Sequence, residues 1–138
     1  MQKLKKIDKH TNVLTWFEIP VLETQRAKKF YEEILDIQMT TRSFPETGEE
    51  LTFFPYDPNV IQATSGRITG VLTKSPNRKP STTGTLIYIN AYPEIQIVLD
   101  KVVSAGGKII SAKTWIPAGY IAVIEDTEGN HIGLSAEK

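Results

Sequence analysis

The chain has 138 residues, and its 16 basic and 16 acidic side chains give a formal net charge of zero. This balance disfavours nucleic acid and anionic membranes as partners, and no run approaches the roughly twenty apolar residues of a membrane-spanning helix. Cysteine is absent, which excludes disulfides, thiolate metal sites and a cysteine nucleophile. We therefore expect a cytoplasmic, single-domain protein that binds neither nucleic acid nor membrane.

The first predicted segment, residues 1–10, is polar and rich in lysine. It lacks the apolar stretch of a signal peptide, so we interpret it as a solvated tail. A two-faced strand follows in residues 13–19, where alternation places Phe17 on one face and Trp16 and Glu18 on the other.

An amphipathic helix is predicted next, with Thr24 as its N-cap. Its apolar stripe has helical spacing and consists of Ala27, Phe30, Tyr31, Ile34 and Leu35. Strands are then predicted at 37–42, 51–56 and 67–73, where β-branched and aromatic residues concentrate. Residues 75–84 contain two prolines and no hydrophobic period, so we predict a linker there.

The second half repeats this plan, because residues 85–89 resemble residues 15–19. Its first strand presents Ile87 on one face and Leu86, Tyr88 and Asn90 on the other. A second helix, ended by two glycines, is predicted from the apolar stripe Ile95, Val98, Leu99 and Val102. Further strands are predicted at 108–112, 120–125 and 131–135.

The sequence thus predicts an α+β fold of two tandem βαβββ modules, residues 11–74 and 85–138, which together form one domain. One helix covers one face of each sheet, so we expect the other faces to curve toward each other around a ligand cavity. Strand alternation predicts the lining Trp16, Glu18, Leu86, Tyr88, Asn90, His131 and Ser135, with Gly70 and Gly133 where side chains are missing.

Several residues near this cavity have alternative interpretations. Glu18 is either a desolvated general base, a group that orients a ligand, or a carboxylate that hydrogen-bonds a tyrosine or a backbone group across the sheet. His131 is either an acid or base at the cavity mouth or an exposed residue at a strand end. Residues 115–120 form either a lid or a hairpin at a subunit interface. The aromatic residues considered as further ligand contacts are Tyr56, Trp115 and Tyr120.

A family resemblance adds to this interpretation. It rests on Trp16-Phe17-Glu18-Ile19-Pro20-Val21, Arg26-Ala27, Phe30-Tyr31, Ala105-Gly106-Gly107-Lys108 and the segment from Glu125 to Leu134 that contains Asp126-Thr127-Glu128-Gly129-Asn130. These motifs resemble the vicinal oxygen chelate superfamily of glyoxalase I, extradiol dioxygenases, fosfomycin-modifying enzymes and bleomycin-binding proteins. The branch related to lactoylglutathione lyase is the most similar. The resemblance covers nearly the whole chain after residue 11 and implies the fold, the cavity and a homodimer.

The resemblance also locates the metal ligands of metal-dependent members, on the first and last strands of each module. The matching residues here are Trp16, Gly70, Leu86 and Gly133, and none has a metal-binding side chain. We therefore predict no cofactor and disfavour a divalent metal, although a neighbouring subunit or Glu18 with waters leaves a weak site open. The residues from Asp126 to Asn130 are predicted to form a glycine-bearing hairpin turn rather than an ion loop.

Four functions remain open at this point. The first is metal-free binding of a small apolar or aromatic molecule, enclosed by Trp16 and Tyr88 and oriented by Glu18 and Asn90. The second is a lyase or isomerase in which Glu18 is the general base and Tyr88 or His131 assists. The third is metal-dependent chemistry of the glyoxalase or dioxygenase type. The fourth is an interaction module with a vestigial cavity.

Overall fold

A computed structural model describes residues 7–138 and contains, within that range, two helices and eight strands. The first module consists of β1 (Phe17–Pro20), α1 (Thr24–Leu35), β2 (Thr40–Phe44), β3 (Glu49–Phe53) and β4 (Gly70–Lys74). The second consists of β5 (Tyr88–Asn90), α2 (Ile95–Val102), β6 (Lys108–Ile116), β7 (Gly119–Glu125) and β8 (His131–Ala136). Both helices are too short to cross a membrane.

Each module forms its own four-stranded mixed sheet, with strand orders β1-β4-β3-β2 and β5-β8-β7-β6. The first strand of each sheet is parallel to the last, and the remaining pairs are antiparallel. The predicted α+β fold with two βαβββ units is therefore confirmed.

The observed strand bounds differ from the predicted ones by a few residues. The strand predicted from residue 13 begins at Phe17, and the one predicted at 67–73 spans Gly70–Lys74. The strands predicted at 37–42 and 51–56 lie at Thr40–Phe44 and Glu49–Phe53. Strand ends depend on where a partner strand stops pairing, and alternation along one segment carries no information about its partner.

The helix α1 buries the predicted stripe except for Leu35, which is half-buried, and it begins differently. Thr24, Ala27, Phe30, Tyr31 and Ile34 are its buried residues. The N-cap is Glu23 rather than Thr24, because the Glu23 carboxylate accepts the Gln25 N–H at 3.2 Å. The Thr24 hydroxyl instead donates to Glu50 at 2.6 Å, which connects the start of the helix to β3.

One hydrophobic core serves both modules. It contains Phe30 and Ile34 of α1, Val98 and Leu99 of α2, and inward residues of both sheets such as Leu134. The helix-bearing faces of the two sheets therefore converge on this shared core, and their other faces lie on the outside. The side chains of Trp16 and Tyr88, which are predicted to line the cavity, lie on the faces of the two sheets that do not contact this core.

Alternation along the first strand of each module is confirmed. Ile19 is buried, whereas Trp16 and Glu18 are exposed on the opposite, outer face. In the second module, Ile87 packs against the core and Tyr88 is exposed.

The predicted linker lies against the second module. The Ser81 N–H donates to the Asn130 side-chain oxygen at 3.1 Å, and the His131 N–H donates to the Ser81 carbonyl at 3.4 Å. Of the predicted N-terminal tail, residues 7–10 are exposed, and the rest lies outside the described residues.

Candidate functional site

The outer face of the first sheet carries three aromatic side chains, Trp16, Phe53 and Tyr56, which we call the aromatic face. The Trp16 and Phe53 ring centroids are 6.2 Å apart, and those of Phe53 and Tyr56 are 5.7 Å apart. Phe53 pairs in register with Val71, which is fully buried beneath this surface. Trp16 is 38% exposed and Tyr56 is 54% exposed, so two of the rings are accessible to a ligand.

Glu18 lies on the same outer face, two residues from Trp16 along β1. Its carboxylate accepts a hydrogen bond from the Thr73 hydroxyl at 3.3 Å. The partner is a threonine hydroxyl on the adjacent strand β4, and not the tyrosine or backbone group expected from the sequence. The bond is long, and the exposed carboxylate keeps further acceptor capacity for a ligand.

The outer face of the second sheet is built around Tyr88 and Gly133. The two residues pair in register, and a Cβ atom on Gly133 would come within 2.5 Å of the Tyr88 ring. Glycine is therefore what allows this ring to lie across β8. Leu86 is 39% exposed near this face, and the side-chain oxygen of Asn90 accepts the Tyr92 N–H at 2.9 Å. The side-chain oxygen of Asn90, which could orient a ligand, is therefore already hydrogen-bonded to a neighbouring backbone group.

A pocket of about 230 Å³ lies where the two modules meet, and we call it the seam pocket. Glu18 of the first module and His131 of the second both line it. The His131 ring is 3.2 Å from the Glu125 carboxylate, which orients the imidazole. The structure thus brings together the two residues that the sequence suggested for acid–base chemistry.

Tyr88 and Asn90 line a different pocket, of about 410 Å³, together with Phe17, Phe54 and Ile89. Glu18 and Tyr88 therefore belong to separate pockets within one chain.

Trp115 and Tyr120 lie at the β6–β7 hairpin, where they pair in register. Trp115 is 65% exposed, and the Lys113 ammonium lies 4.4 Å from the centre of the Tyr120 ring. In the strand order β5-β8-β7-β6, Trp115 of β6 is separated from Tyr88 by two strands and Tyr120 of β7 by one.

The positions that correspond to family metal ligands do not fit a metal. Glu18 pairs with Val71 as Tyr88 pairs with Gly133, so Val71, and not the predicted Gly70, is the counterpart of Gly133. Gly70 pairs with Phe17 on the core face. Valine, like glycine, offers no ligand atom, and residues 7–138 contain no group of three or more histidine, aspartate or glutamate side chains placed to hold a metal.

Sequence reasoning missed a buried polar junction between the modules, formed by Asp126, Glu128 and Asn130. They are 3%, 6% and 5% exposed. The Asp126 carboxylate accepts the Tyr31 hydroxyl at 2.7 Å and the N–H groups of Glu128 and Asn130 at 2.9 Å each. The Asn130 side chain donates to the Pro20 carbonyl at 2.7 Å.

Glu128 makes the charged part of this junction. It accepts the N–H groups of Leu22 and Glu23 at 2.8 Å each and pairs with the Arg26 guanidinium at 2.7 Å. Burial of the Glu128 carboxyl opposes its ionisation, but these hydrogen bonds outweigh burial and hold its pKa below the ordinary value.

The pKa of the Tyr31 phenol is shifted in the opposite direction. Burial, with the adjacent Asp126 carboxylate, raises the pKa of the Tyr31 phenol well above its ordinary value, so the phenol stays a hydrogen-bond donor. The signal in the sequence was the D-x-E-G-N motif. As predicted, the motif connects β7 to β8, but its polar side chains contact the first module.

A family model described as Glyoxalase/Bleomycin resistance protein/Dioxygenase superfamily matches residues 13–134. Glyoxalase I from Zea mays has a TM-score of 0.64 and 18% identity, and the match covers 90% of this chain but only 46% of that one, so this chain spans about half its length.

Two other structures match over most of both chains. The trypanothione-dependent glyoxalase I of Leishmania major has a TM-score of 0.64 and 22% identity over 91% of this chain and 87% of that chain. TnmS3, an antibiotic binding protein from Streptomyces sp. CB03234, has a TM-score of 0.60 and 20% identity over 92% and 97%. At these identities the matches show a shared fold. No curated protein matches the chain by sequence.

Proposed function

Because the chain belongs to the glyoxalase/bleomycin resistance protein/dioxygenase superfamily, we propose that it binds a small apolar or aromatic molecule on the aromatic face without a metal. The observation that carries this proposal is the cluster of Trp16, Phe53 and Tyr56, in which the Trp16 and Tyr56 rings are exposed. Aromatic rings in edge contact offer a large apolar surface to a flat ligand. Glu18 lies at the edge of this surface and supplies a polar group that orients the ligand.

The antibiotic-binding function stated for TnmS3 supports this class of function, since that protein shares the fold. The positions of family metal ligands hold Trp16, Val71, Leu86 and Gly133, which supports binding without a metal. A cytoplasmic location stays a prediction from composition.

Tryptophan fluorescence tests the proposal directly, because the chain has two tryptophans and Trp115 lies on the far hairpin. In a Trp115→Phe background, Trp16 is the sole tryptophan reporter. Titration with a panel of naphthols, coumarins and flavones is expected to give saturable quenching by at least one compound. Trp16→Ala should weaken binding of that compound at least tenfold in calorimetry, whereas Trp115→Ala should leave it unchanged. Equal binding by Trp16→Ala and the wild type would refute the proposed site.

We further propose that a second copy of the chain completes the site. Tyr88 lies on the outer face of the second sheet and lines a different pocket from Glu18, so we expect a ligand that contacts both outer faces to be enclosed across a dimer. Family membership supports pairing. Mixing Trp16→Ala chains with Tyr88→Ala chains should restore part of the binding that each variant lacks, because a mixed dimer keeps one intact site. No restoration, or a monomeric wild type in sedimentation, would contradict this arrangement.

Proton abstraction is a second candidate function, supported by the placement of Glu18 and His131 in one pocket. Glu18 would take a proton from carbon next to a carbonyl group, and His131, oriented by Glu125, would assist. Exchange of such protons for deuterium in a panel of α-keto acids, followed by NMR, tests this step without a known product. The wild type should exceed the buffer rate and Glu18→Gln should not. A wild-type exchange rate equal to the rate in buffer would contradict this candidate function.

A further inference from the structure

We propose that the seam pocket is a second binding site and that it takes a free amino acid with an aliphatic side chain. It lies at the boundary of the two modules and is lined by residues of β1, of β8, of the linker and of the segment that precedes β5, whereas the aromatic face lies on the first sheet. The proposal goes beyond ligand binding on the aromatic face, although Glu18 borders both sites and the proton-abstraction candidate uses the same seam pocket.

Two opposite charges line this pocket. Glu18 belongs to the β1 wall and Lys79 to the linker wall. Within residues 7–138 neither side chain takes part in an ion pair, and the bond from Thr73 uses only one Glu18 oxygen, at 3.3 Å. An anion alone would meet the Glu18 carboxylate, and a cation alone would meet the Lys79 ammonium. A zwitterion places its ammonium on Glu18 and its carboxylate on Lys79.

The rest of the lining fits the body of an aliphatic amino acid. Ile19 and Ile132 are each 3% exposed, and together with Ile87 they form an apolar floor continuous with the core. The hydroxyl of Thr85 adds a neutral donor at the wall. A volume of about 230 Å³ is below the roughly 300–1,000 Å³ of pockets for drug-sized ligands, which favours a small metabolite.

The wall that carries Lys79 is attached to the second module. Ser81, two residues away, donates to Asn130 at 3.1 Å and accepts from the His131 N–H at 3.4 Å. Glu18 belongs to the first module. A bound zwitterion therefore bridges the modules, and its binding should raise the melting temperature of the whole domain.

Calorimetry with three matched compounds tests the proposal. Leucine carries both charges, 4-methylpentanoate lacks the ammonium, and 3-methylbutylamine lacks the carboxylate. We expect leucine to bind the wild type at least tenfold more tightly than either of the other two. Absence of leucine binding, or equal binding of 4-methylpentanoate, would overturn the proposal.

Variants assign the two charges. Lys79→Met should weaken the binding of leucine at least tenfold and leave the binding of 3-methylbutylamine unchanged. Glu18→Gln should weaken the binding of leucine and leave the binding of 4-methylpentanoate unchanged. Lys29→Met, an exposed lysine of α1, and Trp16→Ala are the controls and should bind leucine like the wild type. Loss of leucine binding in Trp16→Ala would refute a separate site. If Trp16→Ala loses binding of the aromatic probe and keeps binding of leucine, the result supports both the separate site and the function proposed above. Unchanged leucine affinity in Lys79→Met would overturn the assignment.

Discussion

The two modules share strand order and helix placement. In each module an aromatic ring of the first strand lies over a glycine of the last strand, but the two pairs lie on opposite faces of their sheets. In the first module the Phe17 ring covers Gly70 on the core side, where it also lies 5.4 Å from the Phe54 ring. In the second module the Tyr88 ring covers Gly133 on the outer side and is 48% exposed. One ring thus stabilises the shared core, and the other is available to a ligand or a second chain.

The modules also differ in how their last two strands are connected. Residues 54–69 connect β3 to β4, whereas residues 126–130 connect β7 to β8. The short connection is buried and polar, and it makes the junction with α1. The long one is mostly exposed. The two modules have therefore diverged. The second module supplies the buried polar side chains of the junction, and the first module supplies partners for their hydrogen bonds.

The largest effect is expected for Gly70→Ala. A Cβ atom there would overlap the Phe17 carbonyl oxygen, a backbone atom that no side-chain rotation can move. We expect the free energy of unfolding to fall by about 3 kcal/mol in urea denaturation. A loss no larger than that of Gly133→Ala would contradict the difference drawn between the modules.

Asp126→Ala should cost nearly as much, about 2 to 3 kcal/mol in the same measurement, because it leaves the buried Tyr31 hydroxyl and two backbone N–H groups without their acceptor. Ser65→Ala, in the exposed loop of the first module, is the control and should stay within about 0.5 kcal/mol of the wild type. Similar losses in both variants would remove the contrast between the two connections.

A smaller cost, about 1 kcal/mol, is expected for Gly133→Ala, because the atoms in its way belong to the exposed Tyr88 ring and can rotate aside. In a Tyr88→Ala background the same change should cost close to nothing. A double-mutant cycle measures this coupling. Its absence would show that the ring does not lie over Gly133.

The smallest effect is a pH dependence from Glu128. Its pKa is lower in the folded than in the unfolded state, so its contribution is present above the unfolded pKa and is lost as pH falls through the folded pKa. Unfolding free energies measured from about pH 5 downward should therefore decline less steeply in Glu128→Gln than in the wild type. Parallel declines would show that other carboxylates dominate the acid response.

Alternation and helical spacing predicted much of this fold, because Trp16, Phe17 and Tyr88 each lie on the face that the pattern indicated. Gly70 was assigned to the wrong face for a physical reason. Residues 70–73 of β4 are all buried, so the strand shows no alternation, and glycine has no side chain to indicate a direction.

The junction was beyond reach of local patterns. Polar residues such as Asp126 and Asn130 ordinarily indicate exposure. They are buried here because their partners Tyr31 and Pro20 come from the other module, about a hundred positions earlier in the chain.

The junction also has a consequence for how the chain can be divided. Asp126, Glu128 and Asn130 connect the halves through side chains, independently of the covalent linker. Residues 76–78 are exposed and precede the part of the linker that contacts Asn130. A polypeptide nicked there keeps every bond of the junction, so the two fragments should recognise each other as complementary halves, and the domain is a natural scaffold for a split reporter.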